Sequence, residues 1–474
     1  MNNSKKKIFL IYPPAGIMNR EDRCQQPVKE LVVIPPLPPM DLMYLAAVAE
    51  REGFECRIKD YSLDSETLDD FVRDFQEFNP HYLVVNITTT TLRADLEVCR
   101  AAKEVNKNII TIAKGAHFLK FGKETLGEFP YLDIAIKGEP EITLREIICS
   151  DSYKNISGII WRRGSEIIQN PDRPFNEDLD SLPYPARHLV DNKRYKRPDN
   201  EKVQAVIKVS RGCPFHCFFC LATPVAGAKV RKRSPENIVG EIRECVEKYG
   251  IKDFLFWSDI FNLDRAWTIE LCEKIINSGL KITWASNTRA DTADEELANL
   301  MYGAGCRLVS IGIESGNQEM LNKMGKKTNL DQIRKTIKIF KKAGIKIYNY
   351  FVIGLPWETE KTAEETIKFA IELDSDFINF YTAVPFPGSK FYDYALESGL
   401  LDEKNREEIY KSAYYYPVVQ SHQLSKDRIF ELHKQAIKRF YLRPKYILRS
   451  LLRIKSFKEL KNYFLAGLSV ITKK

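Results

Sequence analysis

The sequence predicts an α/β protein. Short runs of β-branched and aromatic residues recur between amphipathic helical patterns, this alternation occurs twice with a proline-rich stretch between, and no run approaches the roughly 18 apolar residues of a membrane span. The expected organisation is a sheet domain at residues 1–150, a hairpin and linker at 151–202, a second α/β domain at 203–395 and a helical basic region at 396–474.

The first alternation has strand-like runs at 8–12, 56–59, 82–87, 109–113 and 134–136, with helical patterns at 41–52, 66–77, 93–105 and 118–129. Five short strands separated by helices imply a doubly wound parallel sheet, whose ligands sit at the carboxyl ends of the strands. Those ends carry Tyr12-Pro13-Pro14, the hydroxyl run Thr88 to Thr91, Lys114-Gly115-Ala116-His117 and Lys137-Gly138-Glu139-Pro140. The threonines could equally cap the helix that follows. The opening segment, with its basic lead and short apolar run, reads as a first buried strand rather than a signal peptide.

Runs at 156–161 and 166–169 flank Arg162-Arg163-Gly164 as a hairpin, and Pro171, Pro174, Pro183 and Pro185 then mark an extended connection. Six further strands are expected at 203–209, 254–257, 282–285, 308–313, 347–353 and 377–381. Ser234-Pro235-Glu236 starts a helix running to about Tyr249. The basic run 229–233 before it is basic enough for a phosphate, and reads first as a solvated face.

Hydrophobic residues make up 44% and charged residues 29% of 474, an ordinary globular balance that excludes disorder. Net charge is +8, but residues 426–474 hold fourteen Lys and Arg against three Asp and Glu, leaving −3 for the rest, so a nucleic-acid footprint is not expected. In that tail Ile429, Leu432, Ala436, Ile437 and Phe440 share a helical face, and Pro444 restarts a helix with Ile447, Leu448, Leu451 and Leu452 among Arg and Lys. Two readings stand: contact with an anionic membrane surface, or helices packed back on the domain. Tyr414, Tyr415, Tyr416 and His422 read as a substrate mouth or a lid.

Of ten cysteines, seven are scattered, which suits a cytoplasmic chain. The other three stand together in Ser210-Arg211-Gly212-Cys213-Pro214-Phe215-His216-Cys217-Phe218-Phe219-Cys220, on a loop leaving a strand. Converging thiols favour zinc or iron and sulfur. Adjacent His216 and Cys217 could hardly both reach one tetrahedral zinc, and a disulfide would strand the third thiol.

Cys213-x3-Cys217-x2-Cys220 after a strand resembles the signature of radical S-adenosylmethionine (SAM) enzymes. The resemblance implies a 4Fe-4S cluster on Cys213, Cys217 and Cys220, whose open iron binds SAM and whose electron yields a 5′-deoxyadenosyl radical. It also implies a partial (β/α)6 barrel with its site at the strand ends. SAM contacts are then expected from Phe219, Asp259, Arg289, Glu314 in Gly312-Ile313-Glu314-Ser315-Gly316, and Gly354 in Gly354-Leu355-Pro356. The first domain, with Pro38-Pro39-Met40-Asp41, resembles the cobalamin-binding type that precedes the radical domain in one branch. That likeness places cobalamin against Thr88, Thr89, Gly115, His117, Gly138 and Glu139. The Asp-x-His-x-x-Gly motif of many corrinoid proteins is absent, so His117 is expected near the corrinoid tail rather than on cobalt.

The expected function is cobalamin-dependent methylation of an unactivated carbon, on a small-molecule or lipid-like substrate, with a reductant such as flavodoxin or ferredoxin. A cobalamin-free rearrangement, cyclisation or carbon–carbon coupling is the alternative, and a non-catalytic iron–sulfur protein the third. A methylthiotransferase of RNA would need a second cysteine triad, and Cys24, Cys56, Cys99 and Cys149 are too dispersed for one. The expected location is cytoplasmic, with peripheral membrane contact through the tail.

Overall fold

The computed structural model describes residues 5–16, 18–20, 25–27, 36–63, 66–197, 201–402, 409 and 416–453. Cys24, Tyr414, Tyr415 and the last 21 residues of the basic tail lie outside them. The chain divides into two compact units, one containing 36–194 and 221–227, the other 195–220 and 228–474.

In the first unit, β1 (Lys7–Tyr12) is followed by a two-stranded ribbon, β2 (Met18–Arg20) and β3 (Gln25–Pro27), then α1 (Met40–Arg51), β4 (Glu55–Asp60), α2 (Leu68–Phe78), β5 (Tyr82–Asn86), α3 (Leu92–Val105), β6 (Ile110–Lys114), α4 (Phe118–Glu128), β7 (Ile134–Ile136) and α5 (Pro140–Cys149). The strands lie in the order β4-β1-β5-β6-β7 and all pair in parallel. Helices cover both faces of such a sheet, so central strands read as unbroken apolar runs. Ile8 to Ile11 and Leu83 to Val85 are wholly buried, whereas edge strand β4 alternates. Because β4 and β5 flank β1, the winding reverses there and opens a crevice at the carboxyl ends of β1 and β5.

The hairpin expected in the connection belongs to this sheet. Its strands β8 (Ile159–Arg163) and β9 (Glu166–Gln169) continue it antiparallel beyond β7.

The second unit begins with β10 (Gln204–Lys208) and β11 (Ser210–Arg211); α6 (Ala222–Ala226), which clusters with the first unit, intervenes before β12 (Arg231–Lys232). Then follow α7 (Pro235–Tyr249), β13 (Asp253–Trp257), α8 (Arg265–Asn277), β14 (Thr283–Thr288), α9 (Glu295–Gly303), β15 (Cys306–Glu314), α10 (Gln318–Lys323), α11 (Leu330–Lys342), β16 (Lys346–Ile353), α12 (Glu360–Leu373), β17 (Phe377–Thr382), α13 (Lys390–Glu397), α14 (Lys426–Tyr441) and α15 (Pro444–Arg453). Strands β10 and β13 to β17 form one parallel sheet in chain order. Crossovers that always advance the same way curl a sheet into an open barrel, whose site lies at the carboxyl ends.

Local signals act as read: Ser234 caps α7 through the Asn237 amide, with Pro235 at its first turn, and Gly250 ends it at φ +68°. Of the basic run 229–233, expected as a solvated face, only Lys229 is exposed. Arg231 and Arg233 are buried, Arg233 pairs with Glu241 at 2.5 Å, and Lys232 pairs with Asp264. Helix α14 packs on edge strand β17, where His433 Nε2 lies 2.7 Å from the Phe380 carbonyl and the Tyr441 hydroxyl donates to the Ile378 carbonyl at 2.6 Å.

Candidate active site

The cysteine loop leaves the β11 and β12 ribbon at the carboxyl end of β10. Gly212 takes φ +99°, a conformation that costs a side-chain-bearing residue energy, and its amide donates to Asp259 Oδ2 at 3.0 Å. Cys213 is buried; Cys217 and Cys220 are half-buried. Burial, then Asp259 and the neighbouring thiols, pushes the Cys213 thiol up to about 11 against a stabilising backbone amide, so a metal must displace its proton.

Phe218 fixes the middle of the loop. Its ring lies 4.6 Å from Trp357, 5.3 Å from Phe391 and 5.6 Å from Tyr394, and its amide donates to the Met324 carbonyl at 2.9 Å. Phe219, expected at SAM, is half-buried, as is Phe218. Nothing in a Phe-Phe pair tells which ring faces the core.

Arg289 is committed to the protein. Its guanidinium stacks 3.7 Å over the Phe215 ring, forks onto Asp291 at 2.9 and 2.8 Å and donates to the Lys326 carbonyl at 2.8 Å. Through Nε and Nη2 it braces the cysteine loop; the reading from sequence is a pairing with the SAM carboxylate. Glu314, at φ +69° where the β15–β16 register shifts, accepts from Lys326 Nζ at 2.7 Å, both side chains about nine-tenths buried. Gly354, at φ +95°, donates its amide to Glu358, a carboxyl that burial raises to about 7.

Among the described residues no three His, Cys, Asp or Glu side chains converge on a point one metal ion could occupy. Three thiols on a single anchored loop would ligate three irons of a 4Fe-4S cluster and leave the fourth open. A polar cosubstrate also fits, because Ser258 after β13 and Thr382 at the end of β17 hold buried hydroxyls without a protein partner.

In the first unit the predicted residues stand at the carboxyl ends of neighbouring strands. Thr88 to Thr91 follow β5, and α3 takes no side-chain cap from them. Instead Thr88 Oγ1 lies 3.2 Å from both Thr90 and Thr91 hydroxyls, and Thr91 donates to Asp95 at 2.5 Å. Asp95 in turn pairs with Arg20 at 2.6 Å in full burial, a pair that no local pattern announces. His117 is buried with Nδ1 3.3 Å from Thr89 Oγ1 and Nε2 3.1 Å from Thr125 Oγ1, so both nitrogens are engaged. Gly115 sits so close to the Ile87 carbonyl that a Cβ would approach it to 2.4 Å. Gly138, at φ +87°, turns out of β7, and the Glu139 carboxylate accepts from the Asn176 amide at 2.8 Å. The amide of Asn86, ending β5, is buried with neither side-chain atom partnered. An amide-rich ligand such as a corrinoid fits this edge.

Comparison with known proteins finds two families along the chain. Residues 207–370 match the radical SAM superfamily and residues 32–148 the B12 binding domain. The chain is 31% identical over 449 residues to an uncharacterized methyltransferase of Pyrococcus horikoshii, covering 94% of each. It is 25% identical to the anaerobic magnesium-protoporphyrin IX monomethyl ester cyclase of Cereibacter sphaeroides over 86% of this chain and 67% of that one. Its fold is similar to that of the radical SAM methyltransferase TsrM of Kitasatospora setae, solved with cobalamin and a 4Fe-4S cluster, with a TM-score of 0.68 at 18% identity, covering 83% of this chain and 78% of that one. The chain belongs to the radical SAM enzymes that carry a B12-binding domain, a methyltransferase family whose cofactors are a 4Fe-4S cluster, SAM and cobalamin.

Proposed function

We propose that this enzyme methylates an unactivated carbon of an apolar, lipid-like small molecule. Cys213, Cys217 and Cys220 hold the cluster; Asp259, Phe219, Glu314 and Gly354 shape the SAM site, with Arg289 bracing the loop. Thr88, Thr89, Gly115, His117, Gly138 and Glu139 form the edge that receives the corrinoid. When bound, the cluster supplies the electron that cleaves SAM, and the corrinoid carries the methyl group. The protein's own part is positional. Gly212 is tied to Asp259, Phe218 is packed in aromatic rings, and the thiols are thereby presented at the strand ends, which is the observation that carries the reading.

The test is anaerobic purification with cobalamin supplied during growth, followed by iron, sulfide and cobalt analysis. About four irons per chain are expected, together with one cobalt. Cys213→Ala should lose iron and keep cobalt. With SAM and reduced flavodoxin or ferredoxin, 5′-deoxyadenosine should form; a loaded protein that makes none would be a non-catalytic iron–sulfur protein.

The cyclase relative favours a second reading, ring formation without methyl transfer. Product mass separates them, since methylation adds one CH2 and ring closure removes hydrogen.

Helix α15 favours an apolar substrate drawn from a membrane. Arg443, Lys445 and Arg449 gather on Asp374 at 3.0 to 3.3 Å, turning Ile447, Leu448, Leu451 and Leu452 outward. No helix among the described residues is long and apolar enough to cross a membrane. Flotation with vesicles containing phosphatidylglycerol should carry the wild type upward and leave a Leu448→Ser/Leu452→Ser variant behind.

A further inference from the structure

The segment after α10 packs against the cysteine loop at three points: the Met324 carbonyl accepts from the Phe218 amide at 2.9 Å, a Cβ on Gly325 would lie 3.6 Å from the His216 carbonyl oxygen, and the Lys326 carbonyl accepts from Arg289, which stacks on Phe215. Gly325 itself takes φ +69°. This turn delivers the Lys326 side chain, about nine-tenths buried, onto Glu314 at 2.7 Å. The pair lies over Gly312, where a Cβ would come within 2.3 Å of Glu314 Oε1 and 2.9 Å of Lys326 Nζ. Glu314 holds a left-handed backbone to meet it, a conformation that is costly for a non-glycine residue and persists only where its surroundings impose it. A buried ion pair is in addition weak evidence for stability, since desolvation consumes most of its attraction.

We infer that Lys326 is a positioning residue, a fixed cation that Glu314 and the 324–326 turn hold beside the His216 to Phe218 stretch of the cysteine loop to set the reduction potential of the cluster there. The inference rests on the reading of Cys213, Cys217 and Cys220 as cluster ligands. Burial lowers the lysine's pKa, but Glu314 and then Cys217 outweigh it, so the charge is retained. Each electron entering the cluster adds a negative charge. A buried cation beside it favours the reduced form, a buried carboxylate opposes it, and both act with little screening.

The test is a redox titration of the full chain, reconstituted anaerobically without SAM, with dithionite as the one-electron donor and the reduced cluster read by electron paramagnetic resonance. Lys326→Met should lower the ratio of reduced to oxidised cluster at a fixed potential about tenfold, equivalent to about 59 mV for one electron. Glu314→Gln, which keeps the lysine, should raise it, and Lys326→Arg should stay near wild type. Where Lys326→Met fails to load iron, the sign of the Glu314→Gln shift decides. Potentials unchanged in both variants, or shifted in the same direction, overturn the inference while leaving the cluster reading intact. A wild-type chain that takes up no iron overturns the cluster reading and this inference with it.

Discussion

The Gly212 amide, one residue before the first cysteine of the triad, donates to the Asp259 carboxylate at 3.0 Å, joining the loop after β10 to the end of β13. A charge-assisted bond of this kind contributes about 1.5–3 kcal/mol, enough to decide how firmly the loop is set. Asp259→Ala should therefore reduce iron retention after a chelator challenge several-fold, whereas Asp259→Asn, which still offers an oxygen, should keep most of it. Equal retention in both would show that the bond does not hold the loop.

Arg289 and Phe215 should behave as a unit. Their stack at 3.7 Å joins a buried guanidinium to a half-buried ring, where cation–π contacts contribute about 1–2 kcal/mol. Thermal melts of Arg289→Ala, Phe215→Ala and the double variant should show a coupling of about 1 kcal/mol or more, less than additive. Arg289→Lys should lose most of that coupling, because an ammonium cannot stack and fork at once. Additive effects would show that the two side chains do not support one another.

Glu358 offers a pH test. Burial lifts its carboxyl from an ordinary 4.5 to about 7, against the opposing pull of the Gly354 and Leu355 amides. Between those values the folded chain keeps a proton that the unfolded chain has released, so this group's contribution falls as pH rises from 4.5 to 7 and remains unfavourable above. Relative to wild type, Glu358→Gln should gain stability with rising pH, levelling off above pH 7 at no more than about 3 kcal/mol. Melting temperatures of the two proteins at pH 5 and pH 8 check it; a difference independent of pH would mean that Glu358 is already ionised at pH 5.

Much of this molecule is legible from local pattern. The apolar runs of β1 and β5, the Ser234-Pro235 helix start and the cysteine spacing are short-range signals, and each needs only neighbouring residues to be read. Periodicity reports burial and turn residues report backbone angles, so element type and order follow from the chain itself.

What the tertiary structure alone decided is which distant groups meet. Arg20 finds Asp95, Lys326 finds Glu314 and Arg289 finds Phe215 across 74 to 75 residues or across a turn whose direction depends on Gly325, and no spacing rule encodes such meetings. The sequence by itself determined the two α/β units, the family and the thiol triad. Only the fold decided that Arg289 stacks on Phe215, that Arg231 and Arg233 of the basic run are buried, and that the leucines of α15 face outward. The reason is physical: a charge or an apolar face is assigned by whatever surrounds it after the chain has closed, and those surroundings are non-local.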